Sequence, residues 1–248
     1  MTVHLQNDER IDDLCRQGLK VIQSASAPGF SMDAILLADF AQVKCGERLI
    51  DLGTGTGVIA LLLMAKQPEC FGYGLELMPE MAELASRSVL LNGLEERLKI
   101  SCGDIRQASD LYGRANFDVV VSNPPYYKDG AGRISGDQLR AAARSERYCH
   151  LEELLDSVAA LLKPLGRFYI VHRAERLGDL LAADAQRQLR CVRLRMVQPR
   201  ADSPANLLLA QFTFHSQERL LVEAPLVVYQ ASNVYSEEMM AIYQGREE

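Results

Sequence analysis

Asp51-Leu52-Gly53-Thr54-Gly55-Thr56-Gly57 lies between an apolar run with strand character, Arg48 to Asp51, and one with helix character, Val58 to Lys66. Glycines at alternate positions carry no Cβ, so the backbone turns sharply and a ligand can lie directly against it. A doubly wound α/β sheet binds its cofactor at such a first strand-to-helix turn. An ordinary tight βα turn can carry one glycine, or two. Three in alternation, behind an acid that ends the strand, point to a ligand. The dinucleotide fingerprint Gly-x-Gly-x-x-Gly would need a glycine at position 58, which is Val58, so a nicotinamide cofactor is disfavoured.

Working outward, Ser31 to Val43 places Ile35, Leu36, Ala38, Phe40 and Ala41 at helical spacing behind Ser31 and Asp33, a capped helix that packs on the sheet. Before it, Met1 to Pro28 is polar with a short periodic segment, Ile11 to Leu19, and no evident core role. After the glycine turn, Phe71 to Leu75 predicts strand two, ending at Glu76, 25 positions past Asp51. An acid there can accept from both ribose hydroxyls of an adenosine, or it can favour the positive end of the helix from Pro79 to Asn92. Leu98 to Cys102 predicts strand three, followed by Gly103-Asp104. Asp104 can accept from the amine of a cofactor adenine, or N-cap a helix beginning near Ile105.

Phe117 to Val121 is apolar enough for a strand buried on both faces. It runs into Ser122-Asn123-Pro124-Pro125-Tyr126-Tyr127, the stretch that carries the chemistry. Two prolines fix the backbone and present carbonyls without N–H groups of their own. Asn123 adds an amide oxygen and Tyr126 an aromatic face. That set suits a planar amine or amide nitrogen whose lone pair is delocalised. If Asn123 Oδ1 and the Pro124 carbonyl both accept from such an NH₂, the nitrogen is drawn towards sp³ and its lone pair is freed to attack an electrophilic methyl in line. Stacking on Tyr126 would contribute roughly 1–3 kcal/mol of base binding. No metal is required.

Beyond this motif, Gln138 to Arg147, Leu151 to Leu162 and Ala174 to Leu189 predict helices, with a strand at Arg167 to Val171. Cys191 to Val197 and Leu207 to Phe214 are two β runs too close for a crossover helix, hence antiparallel. Leu220 to Tyr229 predicts an extended segment and Ser236 to Tyr243 a short helix.

The two motifs together resemble S-adenosylmethionine-dependent amino-methyltransferases, with Asp51 to Gly57 as cofactor loop and Asn123 to Tyr126 as the N-P-P-Y motif. Gly29 to Ala38, Ala143-Arg144-Ser145-Glu146, Val171 to Leu177 and Arg193 to Arg200 are similar to the bacterial tRNA(Val) adenine-N6-methyltransferase family, over about residues 10 to 240. The resemblance implies a Rossmann-like class I methyltransferase fold: a mostly parallel seven-stranded sheet with an antiparallel strand near the C-terminus and helices on both faces. It implies one domain over residues 1–248, with 1–28 as an N-terminal extension and 29–248 as the catalytic core. It further implies methylation of the adenine 3′ of the anticodon. Asp51, Gly53, Thr54, Gly55 and Gly57 would line S-adenosylmethionine, Glu76 its ribose and Asp104 its adenine. Asn123, Pro124, Pro125 and Tyr126 would hold the target base, and Arg144, Arg195 and Arg200 are candidates for phosphate contacts. The target has to reach the pocket unstacked, which costs less in an anticodon loop than in a duplex.

Composition sets the outer bounds. The chain has 48% hydrophobic and 24% charged residues, ordinary for a globular protein. No apolar run approaches the ~20 residues of a membrane span, and Met1 to Arg10 lacks the apolar core of a signal peptide, so a cytoplasmic location is expected. Six cysteines, at 15, 45, 70, 102, 149 and 191, show no paired spacing, so reduced thiols are expected and neither a metal site nor a disulfide frame. The net charge of −6 opposes indiscriminate nucleic-acid binding. Locally the balance reverses: Lys128 to Arg147 holds five bases against three acids, and His172 to Arg200 seven arginines against three acids. His150 and His172 lack partner spacing and are expected to be structural. A protein glutamine methyltransferase could use the same acceptors, but such enzymes place a helical substrate domain before the cofactor loop, and only 50 residues precede Asp51. Adenine in ribosomal RNA or DNA would suit the same motif. A non-catalytic binding module would have no need of the acceptor geometry of Asn123 and the two prolines.

Overall fold

Residues 4–27, 29–124, 150–214, 217–232 and 234–245 are described by the computed structural model. The chain opens with a hairpin, β1 (Glu9–Asp13) and β2 (Lys20–Ser24), followed by helix α1 (Met32–Phe40). Then come β3 (Arg48–Leu52), α2 (Val58–Lys66), β4 (Phe71–Glu76), α3 (Pro79–Leu91) and β5 (Leu98–Cys102). A 3₁₀ turn (Ile105–Gln107) and α4 (Ala108–Tyr112) lead to β6 (Phe117–Ser122). From residue 150 onward come α5 (Leu151–Leu161), β7 (Leu162–Arg173), a 3₁₀ turn (Ala174–Arg176), α6 (Leu177–Gln186), β8 (Leu189–Gln198) and β9 (Leu207–Phe214). Short strands β10 (Leu221–Val222), β11 (Leu226–Val227), β12 (Tyr229–Ala231) and β13 (Val234–Tyr235) precede α7 (Glu237–Gln244). The expected helix at Gln138 to Arg147 lies outside the described residues.

Seven of these strands form the central sheet in the order β5-β4-β3-β6-β7-β9-β8, and β9 runs antiparallel to both β7 and β8. The other neighbours on this path pair in parallel. This is the Rossmann-like class I methyltransferase arrangement that the resemblance implied. Among the described residues, β10 and β11 extend the sheet to nine strands by pairing with β8.

Alternation along the strands divides the core. Leu49, Val119, Val121, Tyr169 and Val171 face one layer, which contains α1, α2, α7 and the base of the hairpin. Ile50, Leu52, Val120, Phe168 and Ile170 face the other, with α5 and α6. Side chains at successive strand positions point to opposite faces, so a strand covered on both sides must be apolar throughout. Helix α2 is also apolar nearly all round. Val58 to Met64 are all buried because α2 is wedged between the sheet and α1, and each such large side chain contributes about 1.5–3 kcal/mol.

Two elements depart from expectation. The opening segment does have a core role: Leu14, Leu19 and Val21 join the α1/α2 layer, and Ile22 packs with Met81 and Leu84 of α3. The hairpin is fastened there by the Ile22 N–H donating to Ser88 Oγ and by Asn92 bridging both backbone groups of Lys20. Strand β7 starts five residues earlier than Arg167, because its register against β6 shifts between Leu162 and Arg167 and the intervening residues bulge outward, leaving Leu165 91% exposed. Among the described residues, no helix is long and apolar enough to cross a membrane, and Cys15, Cys45, Cys70, Cys102 and Cys191 are free thiols.

Candidate active site

The parallel strands β3, β4, β5 and β6 end side by side, and each end delivers one of the expected residues. Register places Asp51 beside Gly74 on one flank and Val121 on the other. The glycine turn leaves β3 with φ of +74° at Gly53, +58° at Gly55 and +88° at Gly57, a conformation that costs other residues roughly 1–2 kcal/mol each. The turn is stitched to β4: the N–H groups of Gly53 and Thr54 both donate to the Leu75 carbonyl, at 2.8 and 3.1 Å. Among the described residues, no heavy atom beyond its own chain neighbours lies within 4 Å of where a Gly53 Cβ would stand, which leaves room there for a ligand.

Asp51 supports this turn from beneath. It is fully buried, and Thr54 Oγ1 donates to its Oδ2 at 2.7 Å. Burial pushes its carboxyl up to about 7; the Thr54 hydroxyl opposes the rise and the nearby Glu76 charge adds to it. Glu76, at the end of β4, spans the turn and the next helix. Its Oε2 accepts from the Gly55 N–H and its Oε1 from the Met78 N–H, both at 2.9 Å. A carboxylate has about four acceptor positions, so two are left for a vicinal diol.

Asp104, after β5, is the N-cap of the 3₁₀ turn. It accepts from the Arg106 backbone N–H at 2.9 Å, and the Arg106 guanidinium holds its carboxyl below the usual carboxylate range. Of the two roles open to it in the sequence, capping is the one present, and Arg106 already covers both oxygens. Asn123 and Pro124 continue directly from β6. Ser122 anchors them, its buried hydroxyl donating to the Leu52 carbonyl at 2.8 Å. Asn123 thus leaves the sheet alongside the start of the glycine turn. Pro125, Tyr126 and Arg144 lie outside the described residues.

The family described as a methyltransferase domain, Methyltransf_31, matches residues 44–212. A tRNA1(Val) (adenine(37)-N6)-methyltransferase of Porphyromonas gingivalis strain W83 is 30% identical over 230 residues, covering 89% of this chain and 89% of its own. A Histophilus somni protein of the same name is 32% identical over 225 residues, covering 90% and 91%. The chain belongs to the tRNA1(Val) (adenine(37)-N6)-methyltransferase family. Among solved structures, a protein described as a predicted O-methyltransferase from Agrobacterium tumefaciens superposes with a TM-score of 0.69 at 23% identity, covering 87% of this chain and 97% of that one. TrmN from Thermus thermophilus gives 0.54 at 20% identity, covering 73% and 48%. At these identities the likeness is one of fold.

Three further residues shape the site of this tRNA1(Val) (adenine(37)-N6)-methyltransferase family member. Gln23, 1% exposed on β2, donates from Nε2 to Thr56 Oγ1 of the glycine turn at 2.9 Å and accepts the Phe30 N–H on Oε1 at 3.1 Å. Gly74 on β4 makes room for the turn, since a Cβ there would stand 2.9 Å from Thr54 Cγ2. Ser122 is the third. Gly74 was signalled by a glycine inside a strand. Gln23 carried no signal, because its strand is too short and too polar to stand out.

The arginines expected at the nucleic acid separate in the structure. Arg195 is tied to Glu238 at 2.8 Å and to the Ala224 carbonyl, on the α7 side of β8. Arg200 is exposed in the loop that follows β8. His172 is buried at the end of β7, and burial lowers it to about 4, so it is neutral at pH 7; its Nδ1 accepts the Arg173 N–H at 2.9 Å.

Proposed function

We propose that this protein transfers a methyl group from S-adenosylmethionine to N6 of an adenine in tRNA, at the position named in its relatives, adenine 37 of tRNA1(Val), and that the whole chain works as a single methyltransferase domain. The observation that carries this is the junction of the glycine turn, Glu76 and Asn123-Pro124 at adjacent strand ends, in a chain that matches those relatives over about nine-tenths of its length.

The residues present fit the cofactor. The open backbone at Gly53 suits close approach of a ligand, and the two unused acceptor positions of Glu76 suit the ribose hydroxyls. Asp51 acts through Thr54, fixing the turn that Gly53, Thr54, Gly55 and Gly57 present to the cofactor. Asp104, with Arg106, borders the adenine. When bound, S-adenosylmethionine supplies an electrophilic methyl group. Asn123 Oδ1 and the Pro124 carbonyl accept the two N6–H bonds of the target adenine, localising the nitrogen lone pair towards that methyl, and Tyr126 stacks on the base. N6 would take the methyl of bound S-adenosylmethionine, the new nitrogen–carbon bond replacing the carbon–sulfur bond, and the surplus N6 proton would leave to solvent.

The test is methyl transfer from labelled S-adenosylmethionine to unmodified tRNA, with nucleoside analysis, run beside ribosomal RNA, DNA and release-factor protein. N6-methyladenosine in tRNA1(Val) alone is the expected result. Label in another acceptor would keep the chemistry and move the substrate. Cofactor binding without transfer to any acceptor would overturn the enzymatic reading.

A further inference from the structure

The C-terminal edge of the sheet continues past Asn123 into a basic rim. Strand β7 lies next to β6 and ends at the exposed Arg173. Arg173 pairs with Leu207 of β9, the following N–H, that of Ala174, donates to the Asn206 carbonyl, and the Asn206 N–H donates to the Val197 carbonyl of β8. The loop from 199 to 206 is thereby fixed at the same edge. Ser203 closes a turn onto the Arg200 carbonyl at 3.0 Å, and Gln198 Nε2 donates to the Ser203 carbonyl at 3.0 Å. From the far side, the Tyr229 N–H donates to the Pro199 carbonyl, and the Tyr229 ring stacks on Tyr235 with centroids 5.1 Å apart. Arg200 is near enough to the Tyr229 hydroxyl for its charge to oppose the rise that Tyr235 imposes on that phenol.

Most arginines of the second basic stretch are committed to acids. Arg176 pairs with Asp179, Arg187 with Asp156, Arg193 with Glu223 and Arg195 with Glu238. Arg173 and Arg200 are different: both are exposed, and neither forms an ion pair with a described residue. The acids nearest in sequence are Glu175 and the exposed Asp202. With strands about 4.8 Å apart, the order β6-β7-β9-β8 puts the ends of β7, at Arg173, and of β8, two residues before Arg200, roughly 5 and 14 Å to one side of the Asn123 column. Two such exposed arginines at the sheet edge beside Asn123, on a protein of net charge −6, match a polyanion that approaches in one orientation.

We propose that Arg173 and Arg200 form the rim that grips the sugar-phosphate chain of single-stranded RNA flanking the methylated adenine, with the Pro199–Tyr229 hydrogen bond fixing the Arg200 loop. This rests on the tRNA reading above and adds which surface the RNA crosses. The arginines position the substrate; neither touches the reacting atoms.

The experiment is anisotropy of labelled, unmodified tRNA binding to the full chain between about 50 and 200 mM salt, for wild type, Arg173→Gln, Arg200→Gln and the double variant. Each single variant is expected to lower the slope of log affinity against log salt by about 0.7 to 1. The double variant should raise the tRNA KM roughly tenfold, with kcat at saturating tRNA and S-adenosylhomocysteine affinity unchanged. Arg173→Lys and Arg200→Lys should keep most of the slope, which separates lost charge from lost folding. Arg176→Gln, which removes a paired arginine, should leave it unchanged. Unaltered slopes in the glutamine variants, with wild type still forming N6-methyladenosine in tRNA, would overturn the rim alone. A wild type that neither binds nor methylates tRNA would remove the substrate reading, and the rim with it.

Discussion

Asn123 is the residue on which the proposed chemistry depends most directly. Asn123→Ala should leave S-adenosylhomocysteine affinity within about twofold while turnover falls roughly 10²–10³-fold, the scale found when one preorganised polar group is removed from a reaction centre. Turnover close to wild type would sink the lone-pair mechanism. The glycine turn makes a second prediction. Gly57→Ala should cost about 1–2 kcal/mol for the left-handed backbone, and more because the new Cβ would meet Ala85 Cβ at 3.4 Å; Gly53→Ala, whose Cβ would meet none of the described residues, should show the conformational cost alone. Urea unfolding of both variants checks the order.

Two buried groups impose opposite pH dependences. The Asp51 carboxyl rises from 3.8 to about 7, so between these values the folded state holds a proton that the unfolded chain has lost, and stability falls as pH rises. His172 drops from 6.5 to about 4, so in that window the unfolded chain holds the extra proton and stability rises with pH. Asp51→Asn should therefore steepen the gain in Tm from pH 4 to 7 relative to wild type, and His172→Gln should flatten or reverse it. If both variants moved the profile the same way, one of these assignments would be wrong.

Among the elements, the hairpin shows where the sequence stopped being informative. Strands β3 and β9 and helix α2 were legible almost to the residue, because each is a largely apolar run between turn residues and is covered on both sides, and the edge strand β5 was legible from its alternation of Leu98 and Ile100 ahead of Gly103. β1 and β2 have five residues each, and β1 buries none of its side chains fully. Their place is set by contacts with α3 and with the glycine turn, which lie about 70 and 30 residues downstream and leave no local periodicity. β10 and β11 are two residues long, below what any pattern can mark. At the candidate site, the placement of Asp51, Glu76 and Asn123 at adjacent strand ends was legible because strand ends and glycines locate them, whereas Gln23 acts across the fold. Gln23→Met strands Thr56 Oγ1 and the Phe30 N–H without their partner, at a cost of about 1–3 kcal/mol. Its effect on S-adenosylhomocysteine affinity should overlap with that of Thr56→Val. In a double-mutant cycle, simple additivity of the two would show that the bond does not couple the hairpin to the turn.

For the whole molecule, the hairpin belongs to the folded unit. Removing residues 1–24 uncovers the face of α3 that holds Met81 and Leu84 and strips Leu14, Leu19 and Val21 from the core. Such a truncation should lower Tm and weaken cofactor binding together, and a shortened protein with unchanged Tm would contradict this.

The position of β9 has a consequence for how the chain is made. β9 sits between β7 and β8 and follows both in sequence, so β7 is paired only with β6, and β8 lacks its inner neighbour, until residues 207–214 have been synthesised. On the ribosome, the long apolar edge of β7 waits open while α6, β8 and the following loop emerge, and an open strand edge is a template for another chain. A nascent chain stalled after Asn206 should therefore be prone to aggregate and to be held by chaperones, whereas one extended past Phe214 can close its sheet.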